Sequence, residues 1–287
     1  MSETQLSKLT DHVYWMSPGK PDRPSLAAVV GTHETLMLDA GASAAHARLF
    51  LDALKHAGVN APHRIALTHW HWDHVFGAAE IGVPVIAHER TWDQLKVLAG
   101  YDWSDAALDA RVKTGEEIAF CADNIKLELP APRSIQIPMP DVIFESAVDF
   151  QLGDVTCRVR YVGGDHAIDS CVISIEPDRV LFLGDCLYPA IYAPAWYYTP
   201  DRTLALIDTL LTFDAQWYIE GHNSSIMSRS EFESLTANMS FIARLAKNPD
   251  MDQAAMLAAV TAAGRVVDDD IREWVNAFIE GRAYTNR

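Results

Sequence analysis

The sequence predicts an α/β protein with a C-terminal helical appendage, and three observations lead there. Short apolar runs alternate with helical periodicity through the first third of the chain, the rhythm of strands joined by helices. Histidine or aspartate beside glycine recurs directly after later apolar runs, in Gly164-Asp165-His166, Gly184-Asp185 and Gly221-His222. Beyond residue 228 the periodicity is helical throughout, with no strand between.

Taken in order, the runs 26–30 and 35–38 flank Gly31-Thr32-His33 and read as a hairpin. A helix is expected over 43–57, because Ala47, Phe50, Leu51 and Leu54 fall at i, i+3, i+4 and i+7 and Gly58 is a natural stop. A strand over 64–67 then leads into a histidine-rich turn, a small helix near 76–81 and a strand over 83–87. The pattern is helical from 91 to about 123, while 129–141 holds four prolines, so 91–141 reads as a mainly helical insertion. Strands follow at 155–162, 171–175 and 180–183, the last two a hairpin around Glu176-Pro177-Asp178. Thr199 is placed to cap a helix with Pro200 in its first turn, and a strand over 216–219 comes next. Helices over 229–247, 251–263 and 268–281 complete the chain. The expected organisation is one domain over 1–228 and a helical extension over 229–287 packed on that same domain.

Composition narrows the function. Of 287 residues, 39 are acidic and 23 basic, a net charge of −16, and 49% are apolar, ample for a packed core. Such a balance repels polyanions, and no basic block offers a local exception, so nucleic acid is not the expected partner. Residues 1–10 are mostly polar and no uncharged apolar stretch reaches about 18 residues, so no membrane segment is expected. Cys121, Cys157, Cys171 and Cys186 form no CxxC pair, which fits reduced thiols and a cytoplasmic location. Oligomeric state is not readable from these features.

The chemistry concentrates in Thr68-His69-Trp70-His71-Trp72-Asp73-His74, which holds three of the 11 histidines. If the preceding strand's extended geometry persists, His69 and His71 project to one side and can grip one ion. Asp73 and His74 follow the bend and can reach a second, adjacent position. Imidazoles and carboxylates suit Zn, Fe or Mn. Two ions need further ligands, and His166, Asp185 and His222, each just past a strand, supply them at the sheet edge where α/β proteins place their sites. Trp70 and Trp72 alternate with the ligands and belong to packing.

With these residues the sequence resembles the metallo-β-lactamase superfamily of binuclear metallohydrolases, whose signature is HxHxDH followed by separated His, Asp and His. All seven positions are filled, across roughly residues 13–222. The resemblance implies a four-layer αβ/βα sandwich and two divalent metal ions, Zn2+ first with Fe or Mn as alternatives. His69, His71 and His166 would hold one ion, Asp73, His74 and His222 the other, and Asp185 would bridge both. Asp39 matches a further family position that is structural. A hydroxide shared by the ions would be the nucleophile, oriented by Asp73.

The substrate follows less directly. Class-B β-lactamases usually carry a cysteine at the position of Asp185 and often a lysine shortly after, whereas 185–192 contains no cation and Cys186 falls one residue late. An ester, lactone or thioester of a small molecule is therefore expected above a β-lactam or phosphodiester; a non-catalytic metal- or metabolite-binding member is the remaining alternative. Tyr188 sits three residues after the bridging aspartate, the offset of a tyrosine in acyl-homoserine lactonases, and is a candidate to hydrogen-bond a carbonyl or leaving oxygen. The aromatic run Tyr192, Trp196, Tyr197 and Tyr198 could wall the site, and 91–141 could form a lid through Trp92, Tyr101 and Trp103.

Overall fold

The computed structural model describes residues 5–284. Seven strands form the first sheet in chain order: β1 (Leu6–Lys8), β2 (Val13–Met16), β3 (Leu26–Val30), β4 (Thr35–Leu38), β5 (Arg64–Ala66), β6 (Val85–His88) and β7 (Val142–Phe144). The first four pair antiparallel through short turns, and from β4 to β7 the pairing is parallel. Parallel neighbours need long crossovers. Here they are α1 (Ala44–His56), then α2 (Trp72–Val75) with α3 (Ala78–Ile81), then the insertion helices α4 (Glu89–Ala99), α5 (Asp105–Thr114) and α6 (Ala119–Glu128).

The second sheet contains β8 (Ala147–Gln151), β9 (Thr156–Tyr161), β10 (Cys171–Glu176), β11 (Val180–Gly184), β12 (Trp217–Glu220) and β13 (Met227–Ser228), in the order β13-β12-β11-β10-β9-β8. Its one parallel pair, β11 with β12, is spanned by α7 (Pro200–Leu210). The chain continues as α8 (Arg229–Ala246), α9 (Gln253–Ala262) and α10 (Asp269–Gly281).

Three apolar clusters define the layers. Val29, Leu36, Val159, Ile173 and Phe182 fill the space between the sheets. Phe50, Leu54, Leu67 and Ile125 join the outer face of the first sheet to α1 and the insertion. Leu206, Phe232, Ile242, Val275 and Phe278 join α7, α8 and α10 to the second. The result is the four-layer helix, sheet, sheet, helix sandwich. Strands covered on both faces, such as β4 and β11, read as unbroken apolar runs because every residue of each is buried.

Local differences from expectation have physical causes. The turn after β5 becomes helical at Trp72 rather than near residue 76, with His71 still extended at φ −58° and ψ 144°. Strands β7 and β8 carry no clear apolar signal because most of their residues are exposed. Thr199 does precede α7, but its N–H and hydroxyl both donate to Asp165, at 2.6 and 2.7 Å, instead of capping the helix. A carboxylate is the stronger acceptor. All four cysteines are free and buried, and no described helix is long and apolar enough to cross a membrane.

Candidate metal centre

The site lies where β5, β9, β11 and β12 end. Asp39 anchors it from below. It follows β4 in the left-handed region at φ 58°, which aspartate tolerates better than most residues. Its carboxylate accepts from the Thr68 N–H at 2.7 Å and the Thr68 hydroxyl at 2.9 Å, and pairs with His74 Nδ1 at 2.8 Å. Further backbone bonds, Ala40 N–H to His74 O and Gly77 N–H to Gly41 O, clamp the histidine turn to the loop after β4. The resemblance's structural reading of Asp39 thus has a concrete form.

The seven predicted ligands converge. Ligand atoms of His69, His71 and His166 lie within 4.8 Å of one another, as do those of Asp73, His74, Asp185 and His222. Asp185 Oδ2 stands between the groups, 3.3 Å from His74 Nε2, 3.4 Å from His166 Nε2 and 3.3 Å from His222 Nε2. Asp73 Oδ2 lies 3.1 Å from His222 Nε2 and 3.3 Å from His74 Nε2. Close approach at this spot requires Gly221, since a Cβ there would sit 1.9 Å from Asp185 Oδ1.

Buried atoms without partners identify what the cluster is built to hold. Nε2 of His69, His71 and His166 and Oδ1 of Asp185 are buried and make no hydrogen bond. Buried polar atoms are seldom left so unless another group satisfies them. His166 Nδ1 donates to the Pro189 carbonyl at 3.0 Å, which leaves Nε2 as the lone-pair nitrogen facing its neighbours. Burial first, then the adjacent histidines, pushes His69 and His71 well below the ordinary imidazole pKa, and burial lowers His166. These are neutral imidazoles, the form that binds metal. The donor set fits divalent ions at both groups.

The second group differs. Burial pulls His74 and His222 down, but the carboxylates of Asp185 and Asp73 outweigh it, so His74 is held well above its usual value and His222 is raised to about 10. Burial would raise Asp73 and Asp185, yet His74 and His222 outweigh that and hold both below the carboxylate range. Protons therefore balance this group's carboxylates in the absence of cations.

A cavity of about 1070 Å³ opens over the centre, lined at its floor by His71, Asp73, His166, Asp185 and His222. Tyr188 lines it too, its ring 6.0 Å from those of His166 and His222, and its hydroxyl oxygen accepts from the His222 N–H at 3.2 Å. Burial first, then Glu220 and Asp185, pushes this phenol well above its ordinary pKa, so it stays protonated. The aromatic run separates: Tyr192 packs 5.5 Å from His71, Tyr198 packs on Phe278 and donates to the Leu187 carbonyl, Tyr197 stacks on Tyr284, and Trp196 stays half-exposed at the cavity edge.

The lid residues proposed from sequence do not line the cavity. Trp103 is buried against Phe76, Tyr101 carries Arg111 on its ring, and Trp92 carries Lys96. Phe120 and Cys121 of α6 line it instead. Asp22, 3.5 Å from His222 Nδ1, and residues of α10 complete the wall. Their sequence carried no motif; the only available signal was the amphipathic period of α10. Cys186 is a buried thiol raised well above its ordinary pKa by burial. His12, His46 and His88 serve elsewhere, His12 pairing with Asp178 at 2.6 Å, His46 accepting from the Ala42 N–H, and His88 capping α4.

A family model described as the metallo-beta-lactamase superfamily matches residues 21–222, and the chain belongs to that superfamily. No curated protein matches it. Among solved structures it is similar to a metallo-beta-lactamase from Pontibacter korlensis, at 20% identity over 82% of this chain and 98% of that one, with a TM-score of 0.58. It is similar to a metallo-beta-lactamase from Hirschia baltica at 15% identity, over 82% and 97% of the two chains, TM-score 0.56. The stereoselective inverting sec-alkylsulfatase Pisa1 from Pseudomonas sp. matches 98% of this chain at 15% identity, TM-score 0.68, and the match spans half of that protein's length. These likenesses are of fold, and the last, at 98% of this chain, takes in the C-terminal helices.

Proposed function

We propose that the protein is a binuclear metal-dependent hydrolase of a small-molecule ester, lactone or thioester. The observation that carries this reading is the set of unpartnered Nε2 atoms meeting Asp185 at the floor of a cavity. His69, His71 and His166 would hold one ion, Asp73, His74 and His222 the other, and Asp185 both. When bound, a pair of divalent ions would supply a hydroxide nucleophile at neutral pH and would polarise the substrate oxygen.

The side chains do the rest. Asp73, held ionised by His74 and His222, is an acceptor that orients the attacking oxygen. Tyr188 accepts from the His222 N–H, so its own proton is free for the carbonyl or leaving oxygen of a substrate. Net, water adds across the acyl–oxygen or acyl–sulfur bond, giving an acid and an alcohol or thiol.

No lysine or arginine lines the cavity among the described residues, which weighs against β-lactam carboxylates, phosphodiesters and the alkyl sulfates suggested by the sulfatase's name. The test is a panel of esters, lactones, thioesters, β-lactams and phosphodiesters given to the metal-loaded protein, with His71→Ala and Asp73→Ala beside it. Acyl esters should turn over fastest and both variants should lose the activity. Activity that survives both substitutions, or β-lactam turnover above the rest, overturns the reading.

A further inference from the structure

One wall of the cavity comes from the C-terminal extension. Asp270, Glu273, Trp274, Ala277 and Glu280 of α10 line it, spaced i, i+3, i+4, i+7 and i+10, which is a single helix face. The three carboxylates are exposed and form no ion pair among the described residues. Phe120 and Trp196, 44% and 49% exposed and with ring centroids 5.8 Å apart, line the same cavity. At the floor of this same space His71 Nε2, His166 Nε2 and Asp185 Oδ1 are unpartnered in side chains at least nine-tenths buried.

Such a chamber treats charges unequally. An anionic tail would meet three carboxylates with no lysine or arginine lining the wall to answer it, whereas an ammonium would find those carboxylates and the aromatic side chain of Trp274. The chamber's volume, at the upper end for small-molecule sites, leaves room for a tail beyond the reacting acyl group. We infer that the substrate is a cationic acyl compound, an ester, lactone or thioester bearing a basic amine, whose ammonium is read by the acidic and aromatic face of α10 while its acyl group meets the metal centre. This rests on the hydrolase reading for the reaction, and on the α10 face for the charge.

The experiment compares three p-nitrophenyl esters of equal length on the metal-loaded full chain: hexanoate, 6-aminohexanoate and the half-ester of adipic acid. The expected order of kcat/KM is ammonium, neutral, carboxylate, with about tenfold between the extremes at low salt and less at high salt. In Asp270→Asn/Glu273→Gln/Glu280→Gln the ammonium-to-neutral ratio should fall to near one, a ratio insensitive to any shared loss in the chemistry. Calorimetric binding of hexylammonium, expected for the native chain and lost in the triple variant, reads the charge preference without turnover. If no ester is cleaved yet hexylammonium binds through α10, the hydrolase reading fails and the cation subsite stands. A carboxylate ester cleaved as fast as the ammonium ester, or hexylammonium binding that is absent or survives the triple substitution, overturns the inference.

Discussion

The two halves of the metal centre solve the burial of polar groups in opposite ways. His69, His71 and His166 are neutral and keep their Nε2 atoms unpartnered. Asp73, His74, Asp185 and His222 pair with one another, carboxylate against protonated imidazole, at 3.1–3.3 Å, with Asp185 Oδ1 alone of that carboxylate left unpartnered. The first group can accept an ion without displacing a proton, while the second must release protons to do so. Both are folded in advance, one held by its surroundings and the other by its own charges. Asp185 ties them together, because its Oδ2 faces imidazoles of both.

The largest test of that contrast is Asp185→Ala. It should abolish turnover and lower the bound metal from two equivalents to below one, read by elemental analysis after dialysis, whereas His71→Ala should cost a single equivalent. Equal losses would mean that the halves are not joined through Asp185. Asp39→Asn comes next, since Asp39 orients His74 and Thr68 rather than facing the cavity. A fall of about 10–100-fold in metal affinity or activity is expected, concentrated in the second group.

Acidity should separate the halves further. As pH falls, the second equivalent should weaken by about tenfold per pH unit for each proton it must displace, while the first changes little, measurable by metal titration at several pH values. The sign reverses for chelator-treated protein. Because His222 is raised from 6.5 to about 10, its contribution to the metal-free fold is complete below 6.5 and is lost as pH rises through about 10. Thermal melts of the chelated protein should therefore drop across that window, and a metal-free fold that gains stability there would contradict the proton-balanced second group. The smallest effect is the control Ser228→Ala, which breaks the capping box of α8 outside the cavity's lining. It should cost about 1 kcal/mol in stability and leave metal content at the native value.

Legibility followed chain distance. The spacing of His69, His71, Asp73 and His74 carried four ligands because backbone geometry fixes where neighbours along one turn can point. Strand ends beside glycine located His166, Asp185 and His222, since β9, β11 and β12 run in one direction and end at one edge of the sheet whatever the intervening sequence. The lid reading failed for Trp92, Tyr101 and Trp103 because large aromatic side chains gain as much from packing among insertion helices as from facing a cavity.

The sequence by itself determined the α/β alternation, the helical ending and the identities of the metal-binding candidates, all set by short-range periodicity and residue chemistry. Only the tertiary structure decided which surface closes the cavity. Phe278 and Val275, fully buried beneath α10, press that helix against the second sheet's layer, and with them its acidic face turns toward candidate ligands that lie from His222 back to His69 in the chain. Burial of apolar area fixes such a docking, and burial is a property of two surfaces meeting, which neither segment encodes alone.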